Sequence, residues 1–183
     1  KLLLRYIVFG GDSLFVADIK DWLKQFPKQI LFCEYGPTET TVATTWIKVD
    51  KDNVNQFKNK IPIGKPALNT YAYILDEKLH PVPTNVVGEL YIGGRGVAKG
   101  YLNRQDLTDA KFIKNPFNKP HTDRLYRTGD YCRFLADGNI EFIERVDNQV
   151  KIRGYRIEME EIEAYLIAHP DIKEVVVTAR QID

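Results

Sequence analysis

The stretch Tyr35-Gly36-Pro37-Thr38-Glu39-Thr40-Thr41 decides how the rest of the chain is read. It comes after Ile30-Leu31-Phe32, a short apolar run that predicts a buried strand. Gly36 and Pro37 then break the strand, because Gly relaxes φ and Pro removes a backbone donor. The residues after them make a turn edged with hydroxyls, one carboxylate and one aromatic ring. Open α/β sheets bind ligands at turns on the carboxyl ends of their strands. In such a turn Tyr35 offers a flat face for a base. Thr38, Thr40 and Thr41 offer hydroxyls to phosphate oxygens, and Glu39 is a hard oxygen ligand suited to Mg²⁺. The plain alternative is a surface turn with a half-buried Tyr, since turns are rich in Gly and Pro in any case.

Upstream, Leu2-Leu3-Leu4 and Tyr6-Ile7-Val8-Phe9 are β-prone and are stopped by Gly10-Gly11-Asp12-Ser13. Asp12 or Ser13 can cap a helix over 14–26, with Phe15, Ile19, Trp22 and Leu23 on one face and Pro27 ending it. With the strand over 29–32 this predicts a β-α-β unit, a parallel pair with a right-handed crossover. Both strands end in glycine-bearing turns, so both turns belong on the same edge of the sheet.

Downstream the texture changes. Trp46-Ile47-Lys48-Val49 alternates like a strand, and 50–60 is polar and reads as a loop. From 61 to 143 come short β segments with turn signals, at 71–75, at 89–92 and in a hairpin turned by Asp137-Gly138-Asn139. Residues 106–112 read as a turn or two of helix. After these, Gln149-Val150-Lys151-Ile152-Arg153 alternates and is interrupted by Gly154. An amphipathic helix over 159–168 comes next, carrying Ile162, Tyr165, Leu166 and Ala168, with His169-Pro170 ending it. The β-branched run 174–179 reads as a further strand. The fold class expected is α/β plus β-rich: the end of a large α/β subdomain (1–60), a small antiparallel barrel-like subdomain (61–146), then a hinge and the start of a small α+β domain (147–183).

Composition excludes several classes. Across 183 residues there are 26 basic and 25 acidic side chains, a net charge of +1, which gives no electrostatic case for a nucleic-acid or membrane partner. Two cysteines, Cys33 and Cys132, are too few for a disulfide framework, and three scattered histidines supply no metal-ligand spacing. No apolar run reaches the roughly 18 residues of a membrane span, and no signal peptide is visible. A cytoplasmic location is expected. The chain opens at Lys1 inside a strand-like run, as expected of a piece of something longer.

Four stretches taken together carry a resemblance: 35–41; Gly88-Glu89-Leu90-Tyr91-Ile92-Gly93-Gly94-Arg95-Gly96-Val97-Ala98-Lys99-Gly100-Tyr101-Leu102; Tyr126-Arg127-Thr128-Gly129-Asp130; and Asp147-Asn148-Gln149-Val150-Lys151-Ile152-Arg153-Gly154 within 145–158. In this order they resemble the adenylate-forming enzymes, and among them the amino-acid adenylation domains of nonribosomal peptide synthetases. The last stretch is the most specific, and the resemblance covers nearly the whole chain. It implies an amino acid and ATP reacting, with Mg²⁺, to aminoacyl-AMP and pyrophosphate. The acyl group then passes to the phosphopantetheine thiol of a carrier protein, within an assembly line that includes a condensation domain. A small activator protein is a further possible partner.

The resemblance also implies roles. Tyr35 stacks on adenine, with Gly11, Cys33, Glu34 and Gly36 lining the nucleotide and Phe142 facing it. Thr38 and Thr40 sit near the phosphates. Glu39 holds Mg²⁺, Asp130 accepts both ribose hydroxyls, and Arg145 is a permanent cation beside ribose and phosphate. Thr38, Glu39 and Arg145 are then the catalytic set. Asp147 is the hinge about which the small domain swings, and Gly154 belongs to the loop lining the path of the thiol. Val8, Gly10, Glu34, Val42 and Ala43 line the amino-acid side chain; this set suits a medium or large side chain with a donor, such as Asn or Tyr, and leaves Leu open.

Each residue also has a plain reading. Asp130 can be a turn-former after Gly129, Arg145 can pair with Glu144, and Phe142 can be core on period 2. Three positions depart from the family pattern: Cys33 where Asn is common, and Glu144 and Glu160 where Gly is common. The resemblance places a Gly/Ser/Thr-rich phosphate loop before Lys1 and a catalytic Lys beyond Asp183, so residues 1–183 alone are expected to be inactive. Two alternatives stand beside this reading. One is an acyl-CoA or aryl-acid ligase of the same superfamily, which shares the looser Tyr-Gly-Pro-Thr-Glu and Thr-Gly-Asp cores. The other is a non-catalytic nucleotide-binding module, favoured only by Cys33 and Glu144.

Overall fold

A computed structural model describes residues 4–117, 122–147, 149–152 and 155–180. The chain divides into two compact units, Lys1–Glu144 and Arg145–Asp183.

The first unit opens with β1 (Tyr6–Gly10), α1 (Val16–Gln25) and β2 (Ile30–Tyr35), and β1 and β2 are parallel with Gly10 opposite Glu34. The β-α-β unit is thus as the sequence predicts. Two details of α1 are corrected. Neither Asp12 nor Ser13 caps it: the N-cap is Phe15, without a side-chain bond, and the Val16 amide instead donates to the Asn59 carbonyl at 2.8 Å. One of the four orphan donors of the first turn is thus satisfied by tertiary structure and not by a capping hydroxyl. The buried stripe is Val16, Ile19 and Leu23, while Phe15 and Trp22 are exposed. The helix starts two residues later than expected, which turns Val16 inward, and the Trp22 indole N–H donates to Gln29 Oε1 at 2.7 Å.

β2 runs through Tyr35, longer than its apolar core suggests, because β3 (Thr45–Val49) pairs antiparallel along it as far as Tyr35 opposite Thr45. β4 (Lys65–Pro66) closes the order β1-β2-β3-β4. Strand alternation gives the sheet two faces. Leu31, Cys33 and Val49 pack with Val16, Ile19, Leu23, Val54 and Ile61. Val54 explains the 50–60 segment, whose 3-10 turn at Val54–Gln56 pins the otherwise polar loop to this core. The opposite face carries Tyr6, Val8, Phe32 and Trp46, with ring centroids 6.0 Å (Tyr6–Phe32) and 5.7 Å (Phe32–Trp46) apart.

The β-rich part is antiparallel, built from β5 (Thr70–Leu75), β6 (Gly88–Gly94), β7 (Phe112–Lys114), β8 (Arg124–Phe134) and β9 (Ile140–Arg145). Their order is β5-β6-β8-β7, with β9 also pairing with β8, an open sheet rather than a closed barrel. All seven residues of β6 are buried, as befits its central place. Ile74, Leu90, Ile92, Cys132 and Ile140 form a core against which Tyr35 and Phe142 pack. The helix expected at 106–112 is α2 (Gln105–Lys111).

In the second unit β10 (Val150–Ile152) and β11 (Tyr155–Ile157) make an antiparallel hairpin, followed by α3 (Met159–Ile167). Gly154, expected on the path of the thiol, lies outside the described residues. No residue of α3 is fully buried, and Tyr165 is 83% exposed. The strand expected at 174–179 is absent among the described residues. Its β-branched composition favours extended backbone, but a strand needs a ladder partner; the Val177 amide donates instead to Glu163 Oε1 at 2.8 Å.

Candidate functional site

The site begins where β2 ends. A Cβ on Gly36 would lie 1.8 Å from the Val42 carbonyl oxygen and 2.4 Å from Thr44 Oγ1, so only glycine lets the chain fold back this tightly. Past Pro37 the chain makes a 3-10 turn at Thr38–Thr40. Three donors converge on the Pro37 carbonyl: the Thr40 amide (3.0 Å), the Thr40 hydroxyl (3.2 Å) and the Val42 amide (3.3 Å). The Thr44 amide returns to the Tyr35 carbonyl at 2.9 Å and closes the loop. Thr41 and Val42 both sit at positive φ, 64° and 63°. For a β-branched residue that conformation is strained, and it persists here because these bonds over-determine it. Val42 is left 61% exposed, with Ala43 exposed beside it.

Within the loop the hydroxyls divide. Thr40 Oγ1 is buried 2.6 Å from Thr44 Oγ1 and serves the loop itself. Thr38 is exposed, and the Thr41 hydroxyl donates to the Gly96 carbonyl at 2.8 Å. Glu39 is only 8% exposed, and its Oε1 accepts from the Tyr101 hydroxyl at 2.7 Å.

The Tyr35 hydroxyl donates to Asp130 Oδ2, joining residues 95 apart in sequence. Asp130, in β8 and 5% exposed, has its amide bonded to Thr128 Oγ1 at 3.0 Å, and that hydroxyl donates to the Leu90 carbonyl at 2.7 Å. Burial first, and then the Asp130 carboxylate, hold the Tyr35 phenol protonated well above its ordinary range, so it remains a donor. Phe142 packs on the same cluster as Tyr35. Glu34 is half-buried, paired across the ladders with Gly10 and Trp46; Val8, on the same face, is 58% exposed. Gly11 follows at φ 91°, on the strand-end edge that also holds the 35–41 turn. In the second unit Arg145 grips Asp147 with two bonds, Nε to Oδ1 at 2.6 Å and Nη2 to Oδ2 at 2.8 Å.

Tyr101 has no role that the sequence reveals. It lies in the 88–102 stretch that carries the resemblance, but the partner that gives it a role is 62 residues away. Cys33 and Cys132 are buried and free. Burial pushes the Cys33 thiol up to about 12, and Cys132 is raised chiefly by burial as well. Neither should be alkylated by iodoacetamide in the folded protein at about pH 8, and both should react after denaturation, since the thiolate is the nucleophile; mass spectrometry of the labelled chain checks this. Above pH 9.0 an unfolded Cys33 ionises while the folded one does not, so its contribution to stability falls from there to about 12.

Residues 1–102 match the model of the AMP-binding enzyme family. The chain belongs to that family. Among curated relatives of this AMP-binding chain, bacitracin synthase 3 of Bacillus licheniformis is 49% identical over 97% of the chain and 3% of the relative. The dimodular nonribosomal peptide synthase of Bacillus subtilis is 46% identical over 98% of the chain and 8% of the relative. The chain therefore spans under a tenth of the length of either. Among solved structures, an NRPS protein containing adenylation and PCP domains superposes with a TM-score of 0.85 at 34% identity, over 98% of this chain and 36% of that one. An artificially fused adenylation–PCP di-domain from Klebsiella oxytoca gives 0.81 at 29% identity, over 97% of this chain and 32% of that one. No helix among the described residues is long and apolar enough to cross a membrane.

For Mg²⁺, no cluster of three or more His, Cys, Asp or Glu exists among the described residues. Mg²⁺ keeps several waters and uses one or two carboxylates together with substrate phosphates, so a single buried carboxylate on a rigid turn fits it. Glu39 is such a group.

Proposed function

We propose that the full-length protein activates an amino acid with ATP to aminoacyl-AMP and pyrophosphate, then passes the aminoacyl group to the phosphopantetheine thiol of a carrier protein, releasing AMP. The observation that supports this most is the Tyr35–Asp130 hydrogen bond. It couples an aromatic ring at the carboxyl end of a strand to a buried carboxylate on the second sheet, the two groups that a base and its ribose require of one site. The Tyr35 ring takes adenine while its hydroxyl fixes the Asp130 carboxylate for the ribose hydroxyls. Phe142, packed on the same cluster as Tyr35, would face the nucleotide. Glu39 would hold Mg²⁺, and the ion would supply positive charge to the leaving phosphates. Thr38, exposed at the same turn, would serve the phosphates. Arg145 would serve them as a cation, and Asp147 is the hinge residue of the small domain. Val8, Gly10, Glu34, Val42 and Ala43 make the amino-acid pocket, with Glu34 as its polar wall. A condensation domain of the same assembly line would use the loaded carrier.

Amino-acid-dependent ATP–pyrophosphate exchange by the full-length protein tests this, across the proteinogenic amino acids and a set of aryl acids, with residues 1–183 alone alongside. A signal from one or two amino acids and none from aryl acids is expected. Turnover of an aryl acid, or an acyl-CoA product, would move the assignment to the sibling ligases.

A further inference from the structure

The segment after β6 does more than connect it to α2. It is tied down from many sides. The Ala98 amide donates to the Glu39 carbonyl at 2.8 Å, and the Thr41 hydroxyl reaches the Gly96 carbonyl. The Arg124 guanidinium holds the carbonyls of Ala98 and Lys99 from the other side. Gly100, at φ 146°, passes so close to Thr108 that a Cβ there would meet its side chain at 2.4 Å. That approach delivers the Tyr101 amide to Thr108 Oγ1 at 2.9 Å. The Tyr101 ring then stands edge-on against Phe112, centroids 5.5 Å apart, and Phe112 in turn packs on Tyr126 at 5.1 Å. With backbone and ring so placed, the hydroxyl, which has Tyr126 beside it, donates to Glu39 Oε1 at 2.7 Å.

We propose that Tyr101 is a positioning residue for the metal site. Its hydroxyl selects the Glu39 rotamer that presents the carboxylate to Mg²⁺, and the strap 95–101 holds that hydroxyl in place. This rests on the reading of Glu39 as the metal ligand. A carboxylate on a three-residue turn has side-chain torsions of its own, and locking them before metal arrives removes part of the entropic cost of binding. Groups that orient a metal ligand in this way typically change metal affinity by about 10–100-fold when removed. In this arrangement Tyr101 acts through Glu39, so its loss should be felt as weaker metal binding and not as a lost chemical step.

The test uses the full-length protein and Mn²⁺ as the probe, titrated by electron paramagnetic resonance in the presence of a non-hydrolysable ATP analogue. Tyr101→Phe should raise the Mn²⁺ midpoint about 10-fold. In exchange assays it should raise the Mg²⁺ requirement alike, yet leave kcat at saturating Mg²⁺ within about twofold and the amino-acid KM unchanged. Glu39→Gln should weaken Mn²⁺ further, and adding Tyr101→Phe to it should cost nothing more, because the hydroxyl acts only through Glu39. An unchanged Mn²⁺ midpoint in Tyr101→Phe overturns the proposal, whatever happens to the melting temperature, and reduces the hydroxyl to a packing role. If Glu39→Gln also binds Mn²⁺ normally, the assignment of Glu39 falls with it; if only Glu39→Gln is weakened, the assignment stands and the proposal alone falls. Should Tyr101→Phe not accumulate, Thr108→Ala releases the Tyr101 amide while sparing the hydroxyl. It must then raise the Mn²⁺ midpoint, by less, for the proposal to survive.

Discussion

Adding a single methyl group at position 36 should destabilise the first unit by roughly 4 kcal/mol or more and leave little folded protein. Gly36→Ala puts a Cβ 1.8 Å from one carbonyl oxygen, 2.7 Å from the Val42 carbonyl carbon and 2.4 Å from a buried hydroxyl. The neighbours cannot retreat. The Val42 carbonyl accepts from the Thr44 amide at 3.0 Å, and Thr44 is anchored to Tyr35 and Thr40. Relief would therefore have to come from unravelling the loop that carries Glu39. Gly11→Ala is the control. Its Cβ would meet nothing within 4 Å, so only the positive φ is penalised, at about 1 kcal/mol. Urea melts of the two variants should differ several-fold in lost stability. A Gly36→Ala protein within about 1 kcal/mol of wild type would mean that the loop is not built as described.

The largest effect on activity is expected at Asp130. Asp130→Ala should lower kcat/KM for ATP about a thousandfold, since two hydrogen bonds donated by the ribose hydroxyls to the carboxylate at about 2 kcal/mol each amount to that ratio. The amino-acid KM should stay close to wild type. A sharper signature comes from deoxynucleotides. The wild-type protein should discriminate against 2′-deoxy-ATP and 3′-deoxy-ATP, and the variant should use both as poorly as ATP. Tyr35→Phe separates the two roles of Tyr35. It keeps the ring and loses the donor to Asp130, so the ATP KM should rise about 10-fold with kcat little changed. If Asp130→Ala lost activity equally toward ATP and toward the amino acid, the carboxylate would be holding the sheets together and not reading a ribose.

The elements legible in the sequence are those specified over short windows. The β-α-β unit is encoded by apolar runs, a helix-period stripe and glycine punctuation within 35 residues, and the β8–β9 hairpin by Asp137-Gly138-Asn139. Errors arise where a distant partner decides. The cap of α1 is a carbonyl from Asn59, and the run from Glu174 to Ala179 is β-prone without a ladder to join. The site shows the same division. Tyr35, Glu39 and Asp130 announce themselves by residue type and motif. The private use of the Thr40 hydroxyl and the hold of Tyr101 on Glu39 are tertiary facts that no local pattern encodes.

Strand β2 alternates strictly: Leu31 and Cys33 serve the core beneath α1, while Phe32 and Glu34 look the other way, beside Val8 and Gly10. The two sets share a backbone and no side-chain environment. Substitutions at the even-numbered positions can therefore change that outer face without renegotiating the core. Inserted or deleted residues have no such licence. A shift by one would send the core side chains outward and the outer face inward, carrying the Tyr35 ring away from Asp130 in the same move. Diversification along this strand is thus confined to exchange of side chains at constant length.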